Sequence, residues 1–222
     1  MTDPTLSDLR AAACELNRSL PRYGLVVVHS GNASGYDPAT GKMVIKPSGV
    51  DYDTLTPEML VEVDVASGES VGRLKASVDT PHHCYLYRHM PEVRYVIHTH
   101  SCYATAFAAC QLPIPAVLTA IADEFGGAIP CTPYVTNQGD EIGRAILTYR
   151  SRGPAVLLGN HGVFAWGETA AAAIKAAVMV EEVARTVYLA RTLGSPKPLP
   201  LGETDRWFDR YQFRYGQLDK AA

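Results

Sequence analysis

Residues 155–166 read Ala-Val-Leu-Leu-Gly-Asn-His-Gly-Val-Phe-Ala-Trp, and this segment decides the fold. Two apolar runs, 155–158 and 163–166, are typical of buried strands. Only four residues, a Gly-Asn-His-Gly turn, separate them. Parallel neighbours need a crossover of about a dozen residues or more. The two strands are therefore predicted to pair antiparallel.

The same reasoning extends to the rest of the chain. Strands are also predicted at 25–29, 43–46, 61–65, around 71 and at 93–98. Helices are predicted at 6–20, 80–90, 103–110, 140–149, 169–193 and from about 203. The start at Thr80-Pro81 is interpreted as a threonine cap with proline in the first turn. Because several links are too short for crossovers, we predict one α/β domain over residues 1–222. It has three layers, α/β/α, around a mostly antiparallel central sheet.

Composition narrows the class of protein. The 222 residues are 47% hydrophobic and carry a formal net charge of -3, without a lysine or arginine run. A nucleic-acid partner is not expected, since phosphate backbones require a concentrated basic face. Met1-Thr2-Asp3-Pro4 does not resemble a signal peptide, and no apolar run reaches the roughly 20 residues that span a bilayer. Five cysteines without Cys-x-x-Cys spacing predict no disulfide framework, so a reduced cytoplasmic protein is expected.

His98 and His100 lie at the end of the strand predicted at 93–98. Residues i and i+2 of a strand point to the same face, so both imidazoles project toward one point. Neutral imidazole is the commonest protein ligand of zinc and similar cations. Two ordinary strand histidines would show the same pattern, and this pair alone leaves both interpretations open.

His161 adds a third imidazole, between Asn160 and Gly162 in the decisive turn. By itself it could be a turn histidine bonded to local backbone. Three histidines at strand ends, with no cysteine ligand, match catalytic sites in which three protein groups hold a metal and one position stays open. The sequence therefore indicates a divalent metal site.

Asp79 directly precedes the predicted helix start. A carboxylate there stabilises a helix N-terminus by about 0.3–1 kcal/mol, which is a sufficient structural explanation. It could also be a fourth ligand or a general base.

Small residues and hydroxyls recur in segments that could bind an anion. The first contains Asn32, the second is Lys46-Pro47-Ser48-Gly49, and the third contains Ser77. Exposed amides, hydroxyls and an ammonium group suit a phosphate. Each segment taken alone could equally be an ordinary turn.

Asp123 and Tyr215 attract no functional interpretation by themselves. A solvated loop explains the acidic pair that contains Asp123, and an aromatic anchor explains Tyr215.

Five segments together resemble the class II aldolase/adducin family, and within it the L-ribulose-5-phosphate 4-epimerases. They are Gly31-Asn32-Ala33-Ser34, Ile45-Lys46-Pro47-Ser48-Gly49-Val50, Ser77-Val78-Asp79-Thr80-Pro81, His98-Thr99-His100-Ser101 and Asn160-His161-Gly162. The resemblance runs from Leu9 to Gln217. It implies a class II aldolase-like fold and a homotetramer with active sites between subunits.

The resemblance also implies roles for single residues. His98, His100 and His161 would bind one divalent metal ion, commonly Zn²⁺, with Mn²⁺ or Co²⁺ as alternatives. The substrate phosphate would be held by Asn32, Lys46, Ser48, Gly49 and Ser77. Asp79 would occupy the position where fucose-type aldolases of the family have a glutamate that acts as the base and lies next to the metal. Asp123 in Ala-Asp-x-Phe and Tyr215 in Tyr-Gly-Gln favour the epimerase branch, where two such groups serve opposite faces of the reacting aldehyde.

The implied reaction interconverts L-ribulose 5-phosphate and D-xylulose 5-phosphate by retro-aldol and aldol steps through an enediolate that the metal stabilises. Alternatives are an aldolase cleaving an L-fuculose 1-phosphate type of ketose, a sugar-acid phosphate decarboxylase and a non-catalytic adducin-like interaction domain. The chain departs from the family pattern at Val78, where a second serine is usual. It also has no histidine beyond His161, and Trp207 lies where epimerases carry one.

Overall fold

The computed structural model describes residues 6–215, so Met1 to Pro4, Gly216 and Gln217 lie outside the described residues. A seven-stranded sheet forms the centre, in the order β4-β3-β2-β1-β5-β7-β6, and its neighbouring strands all pair antiparallel. The strands are β1 (Asn32–Asp37), β2 (Lys42–Ile45), β3 (Val61–Asp64), β4 (Ser70–Val71), β5 (Tyr95–Thr99), β6 (Ala155–Leu158) and β7 (Gly162–Gly167). The predicted antiparallel α/β class is confirmed.

Helices cover both faces of this sheet. They are α1 (Leu6–Arg22), α2 (Thr80–His89), α3 (Cys102–Ala109), α4 (Thr119–Phe125), α5 (Glu141–Tyr149), α6 (Ala170–Leu193) and α7 (Glu203–Arg214), with a short 3₁₀ turn at Pro57–Met59. Along β5, Ile97 faces a core that includes Val180 of α6, whereas Val96 faces a second core with Leu86 of α2 and Ile142 of α5. Alternation along the strand thus produces the three layers.

The decisive segment forms the predicted hairpin. Leu158 pairs with Gly162, and the turn between them contains Asn160 in the left-handed region at φ 59°. An asparagine tolerates this conformation better than most residues. A contact with α3 also stabilises the turn, because the backbone N–H of Asn160 donates to the carbonyl of Ala108 at 2.9 Å.

The predicted strand at 25–29 is wrong. Val27 begins a turn in which the Ser30 amide donates to its carbonyl at 3.1 Å, and Val28 has a φ of 58°. Residues 32–35, expected to be a turn, instead begin β1. Pairing with β2 and β5 on either side outweighs their weak local strand preference. A Cβ at Gly35 would lie 2.9 Å from atoms of Leu9 and of Tyr95, so glycine suits this crowded strand.

Two smaller expectations also fail. Thr80 is not the helix cap but the first residue of α2, and its hydroxyl donates to the Ser77 carbonyl at 2.6 Å. Asp123 lies in α4 rather than in a loop. Within residues 6–215, no helix is long and apolar enough to cross a membrane.

Candidate active site

His98, His100 and His161 come together at one end of the sheet. His98 lies in β5, His100 just after it, and His161 in the turn before β7. Because β5 and β7 are antiparallel, with Thr99 opposite Val163, the end of one strand meets the start of the other. One ligand nitrogen from each histidine lies within 4.8 Å of the others, as a shared metal ion would require.

Hydrogen bonding and burial prepare these rings for a cation. The Nδ1 of His98 donates to the Val163 carbonyl at 3.0 Å, which leaves Nε2 facing Nε2 of His100 at 2.9 Å. Burial lowers the pKa of His98 to about 4 against the opposing pull of Asp79, and burial also lowers the pKa values of His100 and His161. Neutral imidazoles are the ligating form, so this donor set fits a divalent metal with an open position.

Gly162 permits this close packing. A Cβ there would lie 2.5 Å from the Thr99 carbonyl oxygen and 2.8 Å from Cδ2 of His100. Both distances are far below van der Waals contact, so a larger residue would displace the ligand rings.

Asp79 lies beside the histidines at the start of α2. It is buried, and its Oδ2 accepts a hydrogen bond from the Asn32 amide at 2.7 Å. Burial would raise the pKa of Asp79, but the charges of His98 and His83 and the Asn32 hydrogen bond outweigh it and lower that pKa. Its Oδ1 is buried without a hydrogen-bond partner among the described residues, and it is therefore available to a ligand.

One cavity of about 210 Å³ unites this cluster with the predicted anion-binding residues. Its lining includes all three histidines, Asp79, Asn32, Lys46, Ser48, Gly49 and Ser77. The antiparallel sheet explains the meeting, because Asn32 at the start of β1 pairs with His98. Lys46 follows β2, and its amide donates to the carbonyl of Ala33.

Lys46 is an unusual cation, since it is 2% exposed. Its Nζ lies 4.6 Å from the centre of the Tyr52 ring and 3.5 Å from the Pro47 carbonyl. Burial lowers the pKa of Lys46, while the charge of Asp51 opposes this shift. No salt bridge to Lys46 is seen within residues 6–215. An anionic ligand would supply the missing counter-charge.

Comparison with known proteins identifies the family. The model of the class II aldolase and adducin N-terminal domain matches residues 11–188. The chain belongs to this family.

Solved structures of similar proteins agree with that assignment. An L-fuculose 1-phosphate aldolase is 27% identical, with a TM-score of 0.85, over 95% of this chain and 99% of that one. YgbL from Klebsiella pneumoniae, described only as a candidate aldolase, epimerase or decarboxylase, is also 27% identical, with a TM-score of 0.80 over 92% and 99%. The L-fuculose-1-phosphate aldolase from Thermus thermophilus is 25% identical, with a TM-score of 0.70 over 86% and 98%.

Two predicted residues of this class II aldolase family member lie apart from the cavity. Asp123 in α4 and Tyr215 after α7 are not among the residues that line it. They share another surface, on which Gln212 of α7 donates to the Asp123 backbone carbonyl at 3.3 Å. Tyr215 is 60% exposed and stacks on Tyr211. Burial raises the pKa of Asp123, although the charge of Arg210 opposes this.

The cavity contains residues that the sequence analysis missed. His29 and Asn137 line it. Nε2 of the buried His82 lies 2.6 Å from Oδ1 of Asn137. His83 is also buried, and its Nδ1 is hydrogen-bonded to the hydroxyl of Ser34 at 2.7 Å. Adjacent histidines in a helix at a predicted site were the available signal for His82 and His83. Nothing local distinguished His29 or Asn137.

Proposed function

We propose that the protein is a metal-dependent sugar-phosphate epimerase that interconverts L-ribulose 5-phosphate and D-xylulose 5-phosphate. The observation that carries the proposal is the single cavity in which three imidazoles, the Asp79 carboxylate and the Lys46 side chain meet. That combination suits a substrate with both a phosphate and neighbouring carbonyl and hydroxyl oxygens.

His98, His100 and His161 would hold one divalent ion, for which we propose Zn²⁺. When bound, it supplies Lewis acidity that stabilises negative charge on the substrate oxygens. Lys46, Ser48, Gly49, Asn32 and Ser77 would bind and orient the phosphate through charge, hydroxyls and amides. Asp79 would orient the reacting part of the sugar beside the three imidazoles.

Asp123 and Tyr215 would move the protons. One removes the proton of the C4 hydroxyl, the C3–C4 bond breaks, C4 becomes an aldehyde, and the electron pair of the bond stays with the other fragment as an enediolate. The aldehyde then rotates, the bond re-forms on its other face, and the second group protonates the new C4 alkoxide. Proton transfer is needed on each face, so two separate groups are required.

These two residues would come from a neighbouring copy in a homotetramer. The proposal rests on their shared location on the α4–α7 surface, outside the cavity of their own subunit, and on the exposure of Tyr215. Exposed aromatic side chains are typical of interface contacts.

An aldolase acting on a ketose 1-phosphate is the second candidate. The observation in its favour is the 27% identity to an L-fuculose 1-phosphate aldolase over nearly the whole chain. Both reactions begin with cleavage of a carbon–carbon bond in the ketose, for which a metal held by the three histidines would supply Lewis acidity, and they differ in whether the two fragments are released or rejoined.

The deciding experiment incubates zinc- or manganese-loaded protein in D₂O with L-ribulose 5-phosphate and follows the products by NMR. We expect D-xylulose 5-phosphate without deuterium at C4, since the C4–H bond is never broken. Cleavage of L-fuculose 1-phosphate without epimerisation would replace the proposal with the aldolase. Release of carbon dioxide from a sugar-acid phosphate would replace it with a decarboxylase.

A further inference from the structure

Two loops meet at one rim of the cavity. One contains His29 and Ser30, and the other, following Gly49, contains Asp51 and Tyr52. The Tyr52 hydroxyl donates to the Ser30 carbonyl at 2.8 Å, and the Nδ1 of His29 lies 2.8 Å from Oδ1 of Asp51. These two contacts join the loops, and His29, Ser30 and Gly49 line the cavity.

His29 lines the cavity, and one of its two ring nitrogens is hydrogen-bonded. Its Nδ1 is bonded to Asp51, and no contact of its Nε2 is found among residues 6–215. A carboxylate on one nitrogen of a histidine fixes the ring orientation and directs the other nitrogen elsewhere. His29 lines the cavity, so its ring is within reach of a ligand there.

The surrounding wall is built for an anion. Lys46 and Ser48 line the same cavity as His29, and the Lys46 ammonium lies over the ring of Tyr52, in the loop bonded to Ser30. The cavity also has an apolar member, Val78, which is 62% exposed and offers no side-chain hydrogen bond. Val78 therefore contributes no hydrogen-bond donor to a bound phosphate. A donor from His29, in the loop at 29–31, would add to the donors of Lys46 and Ser48.

We propose that His29, oriented by Asp51, is a phosphate-binding residue of this cavity. In the imidazolium form both ring nitrogens donate, one to Asp51 and the other to a phosphate oxygen. His29 acts on binding and does not take part in the chemical step. The inference rests on the proposed binding of a phosphorylated sugar, and it does not depend on which reaction follows.

The test measures the Kd of inorganic phosphate by calorimetry for the unaltered protein and for H29Q. We expect H29Q to raise the Kd about tenfold, since a charge-assisted hydrogen bond is lost. H89Q is the matched control, because His89 is exposed, bonded through Nδ1 to the Tyr85 carbonyl and absent from the cavity lining. Phosphate can also bind a metal ion, so the effect must appear in both metal-loaded and metal-free protein.

A double-mutant cycle with D51N tests the orienting role of Asp51. If Asp51 holds the ring in place, H29Q has a smaller effect on the phosphate Kd in the D51N background than in the unaltered protein. Equal effects in both backgrounds would remove Asp51 from the proposal.

Failure of this inference can be told apart from failure of the epimerase proposal. Equal phosphate Kd values for H29Q and the unaltered protein overturn the role of His29 even if epimerisation is observed. Weaker phosphate binding by H29Q supports that role even if the protein epimerises no sugar. With a phosphorylated substrate, H29Q should raise KM and leave kcat nearly unchanged, whereas a fall in kcat alone contradicts a binding role.

Discussion

His98 and Val163 are joined between the neighbouring strands β5 and β7 by a 3.0 Å hydrogen bond from an imidazole Nδ1 to a backbone carbonyl. This contact sets which nitrogen of His98 faces His100, and it depends on the register between β5 and β7. Gly162, directly before Val163, leaves the space that the Thr99 carbonyl and the His100 ring occupy. The metal-binding geometry is therefore coupled to one glycine that carries no functional group.

Replacing Gly162 with alanine should disturb the metal site. The added methyl group would meet the Thr99 carbonyl and the His100 ring, and such overpacking costs about 1–3 kcal/mol in the free energy of unfolding. We expect lower metal content by mass spectrometry and a lower midpoint in urea. Gly127→Ala is the control, because a Cβ at Gly127 meets nothing within 4 Å. Full metal content in Gly162→Ala would contradict this account.

His100→Ala should lose the metal ion without unfolding the chain. His100 follows β5 and is exposed, so replacing its side chain leaves the core intact. Only two imidazoles then remain to hold the ion. We expect metal content to fall from about one ion per chain to near zero after dialysis, with an unchanged circular dichroism spectrum. His89→Ala should keep its metal. A His100→Ala protein that retains a full ion would show that other groups bind it.

Asp79→Asn should abolish most activity while the fold survives. Asparagine keeps the shape and can still accept the Asn32 hydrogen bond through its side-chain oxygen, but it removes the negative charge beside the three imidazoles. We expect kcat to fall by about 10²-fold or more, as for other groups that contact the reacting atoms. Metal content, measured on the same samples, separates a catalytic defect from loss of the ion. Activity within about twofold of the unaltered protein would assign Asp79 a structural role only.

Asp123→Asn and Tyr215→Phe should each cripple epimerisation and leave the metal bound. Because both residues are proposed to act in a neighbouring subunit, Tyr215→Phe co-expressed with His100→Ala should regain activity. Random mixing in a ring leaves about a quarter of the sites with both intact halves. Asp209→Asn and Tyr149→Phe, at positions outside the cavity lining, serve as controls. Absence of any regain would place the acid and base within one subunit, or elsewhere.

His83 should make stability depend on pH. Burial lowers the pKa of His83 from 6.5 to about 3, so the unfolded chain takes up a proton between these values and the folded chain does not. Stability is therefore lost as the pH falls from 6.5 toward 3, by up to about 1.4 kcal/mol per pH unit from this group. The free-energy advantage of the unaltered protein over His83→Gln in urea should shrink between about pH 7 and pH 5. A constant difference would refute the assignment.

The amino-acid sequence by itself determined the local features of this protein. Apolar runs separated by a four-residue turn identified the β6–β7 hairpin, and the helices α1 and α6 were predicted close to their observed bounds. The spacing of His98 and His100 predicted that their imidazoles project toward one point, and both contribute to the histidine cluster. These features depend on neighbours a few residues apart, so a pattern in the chain is enough to predict them.

Only the tertiary structure decided which distant residues meet. Asn32 became part of a strand because it pairs with His98 of β5, against its local preference. His161 joined His98 because two strands more than sixty residues apart lie antiparallel. Asp123 was separated from the cavity and joined to Gln212 by packing of α4 on α7. Such contacts arise from burial and strand pairing between distant parts of the chain. Local sequence patterns therefore do not predict them.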